Sequence, residues 1–114
     1  MTAVEKKLPV INIILNNNYL GMVRQWQTLF YDKRHSETDL SVQPDFVKLA
    51  EAFGGAGYRV STKEEFDAAL KDAIKKDVVT FIEVSVERLE NVLPMVPAGG
   101  SLFNMMLLEK KGDK

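Results

Sequence analysis

Pro9-Val10-Ile11-Asn12-Ile13-Ile14-Leu15-Asn16-Asn17-Asn18 is the stretch on which the fold turns. From Pro9 to Leu15 the run is β-branched and almost continuously apolar, the pattern of a strand covered on both faces in a parallel sheet. Three asparagines then stop it. Asparagine tolerates left-handed backbone and its amide bonds nearby backbone groups, so a sharp strand-to-helix turn is predicted there. Just beyond, Leu20, Met22, Val23, Trp26, Leu29 and Phe30 recur at three-to-four spacing, with Arg24, Gln25, Gln27 and Thr28 between them. This predicts a helix from about Leu20 to Phe30, with Arg24 and the Asp32-Lys33-Arg34 run most simply read as a solvated face.

The alternation continues outward. Before the first strand, Thr2 to Lys7 is helix-compatible and has no cap of its own, as in the last turns of a helix. Tyr31 to Gln43 has no period and reads as a long loop, a length that tends to be functional. Pro44 suits a first helical position and Asp45 the positive end of a helix dipole, with Phe46, Leu49, Ala50 and Phe53 on one face and Gly54-Gly55 as the stop. Gly57 to Val60 is a short strand. Ser61 and Thr62 each precede a glutamate by three residues, Glu64 and Glu65, giving two overlapping capping-box matches before the stripe Phe66, Ala69, Leu70, Ala73 and Ile74. Val78 to Val86 is a second long buried strand and Leu93 to Gly100 an irregular extended segment. Ser101 is positioned to cap a brief helix through Leu108, and Lys110 to Lys114 is a frayed end.

Strands alternating with helices define an α/β fold. Three parallel strands with helices on both faces leave an exposed edge, which natural sheets avoid, so the chain reads as part of a larger α/β domain.

Composition narrows the function. Among 114 residues, 15 Lys and Arg stand against 16 Asp and Glu, so no basic field exists to hold nucleic acid or an anionic membrane. Without cysteine there are no disulfides, thiolate metal sites or cysteine nucleophiles, which fits a reducing, cytoplasmic setting. The single histidine, His35, excludes a His-rich metal centre and reads as a surface residue. No apolar run approaches the roughly 20 residues that span a bilayer, and the N-terminus has no signal-peptide core.

Neither a Walker A sequence nor G-x-G-x-x-G, H-E-x-x-H or G-x-S-x-G occurs. What remains is Leu15-Asn16-Asn17-Asn18-Tyr19-Leu20-Gly21 at the carboxyl end of a strand, where open α/β sheets place ligands. An asparagine amide oxygen there can serve a hard cation such as Mg²⁺, with a neighbouring carbonyl as second ligand. From spacing alone, a turn-forming asparagine is the simpler reading. Likewise Met22, Val23 and Trp26 on one stripe read as core. Glu83, inside an apolar strand, is explained equally by a site, a strand end or a partner lysine. Met105 and Met106 read as gap-filling contacts.

Leu15 through Tyr31, above all Gly21-Met22-Val23-Arg24-Gln25-Trp26-Gln27, together with His35-Ser36-Glu37-Thr38, Pro44 to Ala50 and Pro94-Met95-Val96-Pro97-Ala98-Gly99-Gly100, closely resembles the acetolactate synthase (acetohydroxyacid synthase) catalytic subunits. The resemblance implies a thiamine diphosphate-binding fold, three-layered with a mainly parallel sheet. It implies condensation of two 2-keto acids, pyruvate with pyruvate or 2-ketobutyrate, with loss of CO₂ for branched-chain amino acid synthesis. By the same resemblance Asn17 gives its amide oxygen and Tyr19 its main-chain carbonyl to Mg²⁺, and Gly21 and Met22 contact the cofactor, Met22 beneath the thiazolium ring. Val23 and Trp26 line the substrate channel, where the tryptophan bears on the choice of 2-ketobutyrate. The resemblance favours the site for Met22 and Trp26 and leaves Val23 divided between site and core.

The family's metal motif opens with Gly-Asp-Gly, which this sequence lacks; Gly112-Asp113-Lys114 is terminal and has no third glycine. The family's activating glutamate and its FAD-carrying middle domain have no counterpart either. The expectation is therefore the C-terminal portion (1–114) of the diphosphate-binding domain, with 87–114 as a C-terminal arm. FAD would belong only to the full-length enzyme, and the isolated chain would be inactive. Implied partners are 2-keto acids, further copies in a homo-oligomer and a regulatory small subunit, without nucleic acid or membrane. Two readings stand beside this one: a non-catalytic oligomerising α/β module, and another thiamine diphosphate carboligase such as glyoxylate carboligase.

Overall fold

The computed structural model describes residues 1–107, along which run α1 (Thr2–Glu5), β1 (Ile11–Asn16), α2 (Gly21–Phe30), α3 (Phe46–Ala52), β2 (Ala56–Val60), α4 (Lys63–Lys75), β3 (Thr80–Ser85) and a 3₁₀ turn (Leu102–Asn104). The strands pair in parallel in the order β1-β3-β2, so the last strand in sequence is the central one. Its burial matches that place: Thr80, Ile82 and Glu83 are all buried. The expectation that β1 is covered on both faces is corrected. As an edge strand with one neighbour, β1 leaves Ile13 47% and Leu15 69% exposed.

The described residues fall into two compact units, Met1–Tyr19 with Asp39–Arg88, and Leu20–Thr38 with residues 89–107. The first unit holds the sheet. On one sheet face Val60 and Ile82 form a buried cluster with Ala69 and Ala73 of α4, flanked by Ile11, Tyr58, Phe66, Leu70 and Val84. Ile74, predicted for this stripe, is exposed instead. The other face carries α3, which lies close against β2. A Cβ on Gly57 would stand 2.7 Å from the Val47 Cα and 2.9 Å from its carbonyl oxygen, so only glycine admits the helix at this distance. Helix, sheet and helix make the three layers that the sequence implies.

Capping chemistry resolves two local ambiguities. Thr62 caps α4: its hydroxyl accepts from the Glu65 N–H, while the Glu65 carboxylate accepts from the N–H groups of Ser61 and Thr62. The alternative Ser61/Glu64 box is not used. At α3 the cap is Asp45, which accepts from the Val47 and Lys48 N–H groups, so Pro44 precedes the helix rather than opening it. Gly54, at φ 82°, closes α3 in the left-handed region.

Hydrogen bonds from Ser61 hold the Glu65 carboxyl below its ordinary 4.5, and the Lys48 N–H followed by the Arg59 charge holds Asp45 below 3.8. A carboxyl with a depressed folded pKa stabilises above its unfolded value and loses that contribution as pH falls through the folded value. Urea unfolding at about pH 6 and about pH 3 is therefore expected to show a smaller acid loss for Glu65→Gln than for the wild type. Equal losses would remove Glu65 from the acid response.

At the C-terminal side, the helix expected from Ser101 through Leu108 is, among the described residues, only the 3₁₀ turn at Leu102–Asn104, capped by the Ser101 hydroxyl, and Leu108 lies outside them. Met105 is already extended and Met106 pairs with Met95 in an isolated antiparallel bridge, which draws the backbone out of helical geometry. The readings made for Lys110 to Lys114 lie outside the described residues.

Candidate functional site

Beyond the last residue of β1, two side-chain turns shape the backbone. Asn16 Oδ1 accepts the Asn18 N–H at 3.0 Å, and Asn17 Oδ1 accepts the Tyr19 N–H at 3.1 Å. Asn18 takes φ 54°, a left-handed value that asparagine tolerates, and its amide oxygen receives a hydrogen bond from Gln43. The Asn18 carbonyl accepts from the Leu40 N–H, and Tyr19 pairs with Asp39 in an isolated antiparallel bridge. Arg88 stacks on the Tyr19 ring at 4.6 Å and pairs with Asp39 at 3.1 Å. Asp39 is itself held below its usual range, first by the Ser41 hydroxyl and N–H and then by Arg88.

The donor chemistry of this turn fits a hard cation. Asn17 Oδ1 has spent one lone pair on the Tyr19 N–H and keeps another. The Tyr19 carbonyl accepts no hydrogen bond among the described residues. Two neutral oxygens two residues apart are suitable ligands for Mg²⁺, which takes few protein ligands and shares the rest with water and phosphate oxygens. Among the described residues no group of three or more acidic or imidazole side chains forms a metal centre of its own.

Gly21, Met22, Val23 and Trp26 belong to the second unit, on the first turns of α2. Here the sequence expectation is inverted. Arg24, expected in solvent, and Gln25, placed opposite the apolar stripe, are 3% and 1% exposed, whereas Met22, Val23 and Trp26 are about half exposed. The physical reason lies in the irregular segments beside the helix, whose backbone groups have no ladder to join. Arg24 donates to the Asn91 side chain at 2.9 Å and to the Glu90 carbonyl at 2.8 Å. Gln25 both accepts from the Val92 N–H at 2.7 Å and donates to the Val92 carbonyl at 3.1 Å, and it also donates to the Met95 sulfur. On the next turn Gln27 donates to the Ser36 carbonyl and accepts from the buried Thr38 hydroxyl, and Thr28 meets His35 at 3.0 Å. The polar face thus serves as the partner of two loops.

Turned outward, the apolar face lines open hollows. Met22 and Trp26 join Phe30, Tyr31 and Met95 to Ala98 around one of about 450 Å³. Val23 and Trp26 share the wall of another with Gln27, Tyr31 and Arg34. A concave, mostly apolar surface of this size suits a small organic ligand. The structure therefore brings Asn17 together with Tyr19, and Met22 together with Trp26. Gln25 was not singled out by sequence reasoning and Arg24 was read only as solvated, because a buried polar side chain on an amphipathic helix leaves no periodic signal; the exposed Arg88, beyond the last strand, was not singled out either.

The family model for the thiamine pyrophosphate enzyme C-terminal TPP-binding domain matches residues 1–84. The chain is 43% identical over 114 residues to the acetolactate synthase large subunit of Haemophilus influenzae, covering 99% of this chain and 20% of that protein. It is 46% identical over 109 residues to the isozyme 2 large subunit of Escherichia coli, covering 96% and 20%. With the mitochondrial catalytic subunit of Saccharomyces cerevisiae it shares 48% identity over 101 residues, covering 89% and 15%. It thus spans about a fifth or less of the length of these relatives. Among solved structures it is similar to the thiamine diphosphate-dependent 4-hydroxybenzoylformate decarboxylase of Rhodococcus jostii, with TM-score 0.70 and 36% identity over 78% of this chain and 16% of that one.

Proposed function

The chain belongs to the thiamine pyrophosphate enzymes, through their C-terminal TPP-binding domain, and from that premise we propose that it is the diphosphate-anchoring part of an acetolactate synthase. The observation that carries the proposal is the pair of hard oxygens, Asn17 Oδ1 and the Tyr19 carbonyl, which accepts no hydrogen bond among the described residues, presented at the carboxyl end of a parallel strand. In this reading they hold the Mg²⁺ that neutralises the cofactor's diphosphate. Thiamine diphosphate, when bound, supplies the electron sink through which one 2-keto acid loses CO₂ and its acyl carbon joins a second 2-keto acid.

The chain's own residues orient and exclude. Met22 gives the cofactor ring an apolar support, and Gly21 lets the backbone at the start of α2 come close to it. Trp26 and Val23 set the width of the channel through which the acceptor keto acid, pyruvate or 2-ketobutyrate, reaches the reacting carbon. None of these side chains titrates, so the segment positions reactants and moves no proton. The isolated 114-residue chain is proposed to be inactive, because it spans so small a part of its relatives. We place the enzyme in the cytoplasm; among the described residues no helix is long and apolar enough to cross a membrane.

The test is a chimera in which residues 1–114 replace the matching segment of the Escherichia coli isozyme 2 large subunit. It is expected to form acetolactate from pyruvate with added Mg²⁺ and thiamine diphosphate. A folded chimera without turnover would overturn the proposal. Within it, Trp26→Leu is expected to lower the preference for 2-ketobutyrate over pyruvate by about tenfold, the scale on which apolar pockets discriminate a methylene group. Unchanged competition between the two acceptors would remove Trp26 from acceptor choice.

A further inference from the structure

Glu83 is a carboxylate at the centre of a parallel sheet, 6% exposed, and nothing in the proposed chemistry uses it. Burying such a group is costly unless it is paired, and an aliphatic residue of similar size would serve a core at least as well. Its partners identify its role. Oε2 accepts from Arg59 Nε at 2.9 Å, and Arg59 continues to Asp45 at 3.1 Å. Oε1 accepts from Asn16 Nδ2 at 2.7 Å.

Register explains why these groups meet. Glu83 stands opposite Ile14 on β1 and Arg59 on β2, and Asn16 lies two residues beyond Ile14, on the same sheet face. A carboxylate only accepts hydrogen bonds, so it selects one of the two orientations of the Asn16 amide: NH₂ toward Glu83, oxygen away. The oxygen is then held on the Asn18 N–H at 3.0 Å. The Asn16 carbonyl is occupied as well, by the Val86 N–H at 3.1 Å.

We propose that Glu83, held by Arg59, is the positioning residue of the cation-binding turn, acting through the Asn16 amide. By fixing the first side-chain turn it sets where Asn17 begins the second, and so where Asn17 Oδ1 and the Tyr19 carbonyl point. This rests on the cation reading of Asn17 given above.

The arrangement can be broken and then restored with reversed polarity. In Glu83→Gln the residue is no longer an obligate acceptor on both sides, and the Asn16 amide loses its selected orientation. In the double variant Asn16→Asp/Glu83→Gln every bond has a counterpart. The new amide at position 83 donates to the new carboxylate at position 16 and accepts from Arg59, while that carboxylate accepts from the Asn18 N–H. Amide hydrogen exchange of the metal-free 114-residue chain, followed by NMR, reads the turn directly. Glu83→Gln is expected to speed exchange at Asn18 and Tyr19 by about tenfold, the scale of one lost hydrogen bond, with Phe81 and Ile82 unchanged. The double variant is expected to return both amides close to the wild-type rate.

Wild-type rates at Asn18 and Tyr19 in a folded Glu83→Gln chain would overturn the proposal. Should that variant lose its far-UV circular dichroism, the double variant decides: restored fold and exchange support the proposal, and failure overturns it. Mn²⁺ added alone is the probe of the ligand, expected to broaden the Asn17 side-chain amide in the wild type and double variant several-fold more than in Glu83→Gln. No broadening in the wild type would overturn the cation reading and the purpose assigned to Glu83, while exchange still reports whether Glu83 sets the turn.

Discussion

Ile82→Ala is expected to cost about 3 kcal/mol of unfolding free energy, within the span seen when a buried aliphatic side chain is cut to alanine. Ile82 is fully buried in the central strand, between Ile13 on β1 and Tyr58 on β2 in register. The buried residues clustered with it, Val60, Ala69 and Ala73, are smaller, so the space vacated can be filled only if the larger side chains flanking the cluster, Tyr58, Phe66 and Leu70 among them, leave their places. Domains of this size hold about 5–15 kcal/mol in all, so this one truncation removes a large share. Urea unfolding measures it, with Ile74→Ala as control. Ile74 is 67% exposed on the same helix as Ala69 and Ala73, and its truncation is expected to stay within about 0.5 kcal/mol. A loss below about 1 kcal/mol for Ile82→Ala would mean that α4 closes over the cavity, contrary to the packing described.

The same contrast shows how far the sequence could be read. Strand and helix order followed from local signals: the β-branched runs at Pro9–Leu15 and Val78–Val86, the Thr62/Glu65 box and the Gly54-Gly55 stop each act within a few residues. What local signals did not convey was which side of α2 faces inward. Periodicity reports that two faces differ, and the usual inference sends the apolar one inside. At α2 the competing requirement was the backbone of residues 90–92, which Arg24 and Gln25 meet from 66 and 67 residues away, and that of Ser36, which Gln27 meets from nine. Glu83 was ambiguous for the same reason. Its partners Asn16 and Arg59 are 67 and 24 residues distant, joined only by the parallel register of three strands. The asparagine turn was legible because it is local, whereas the cation roles of Asn17 and Tyr19 and the site roles of Met22 and Trp26 came from resemblance, the exposure of the last two being opposite to what the helical stripe implied.

Asn17→Ala and Tyr19→Leu, made in the chimera described above, are expected to differ by more than about tenfold although the residues are neighbours in one proposed coordination set. Asn17 would act through its side chain. Alanine removes the cation's oxygen and also frees the Tyr19 N–H that Asn17 holds at 3.1 Å, so ligand and turn are lost together. Substitution of groups that merely support metal ligands already costs 10–100-fold, so loss of the ligand itself is expected to lower acetolactate formation at limiting Mg²⁺ by at least about 100-fold. Tyr19 would act through its carbonyl, which leucine retains. What leucine removes is the Arg88 stacking at 4.6 Å, worth about 0.5–1 kcal/mol at an exposed site, or a few-fold at most. Arg88 keeps its pairing with Asp39, and Asp39 its antiparallel bridge to residue 19, so the backbone stays where it was. Turnover against Mg²⁺ concentration separates the cases: Asn17→Ala should need far more metal to reach half its maximal rate, and Tyr19→Leu nearly the wild-type amount. A Tyr19→Leu loss as large as that of Asn17→Ala would refute main-chain coordination at residue 19 and assign the contribution to the phenol ring and the arginine stacked on it.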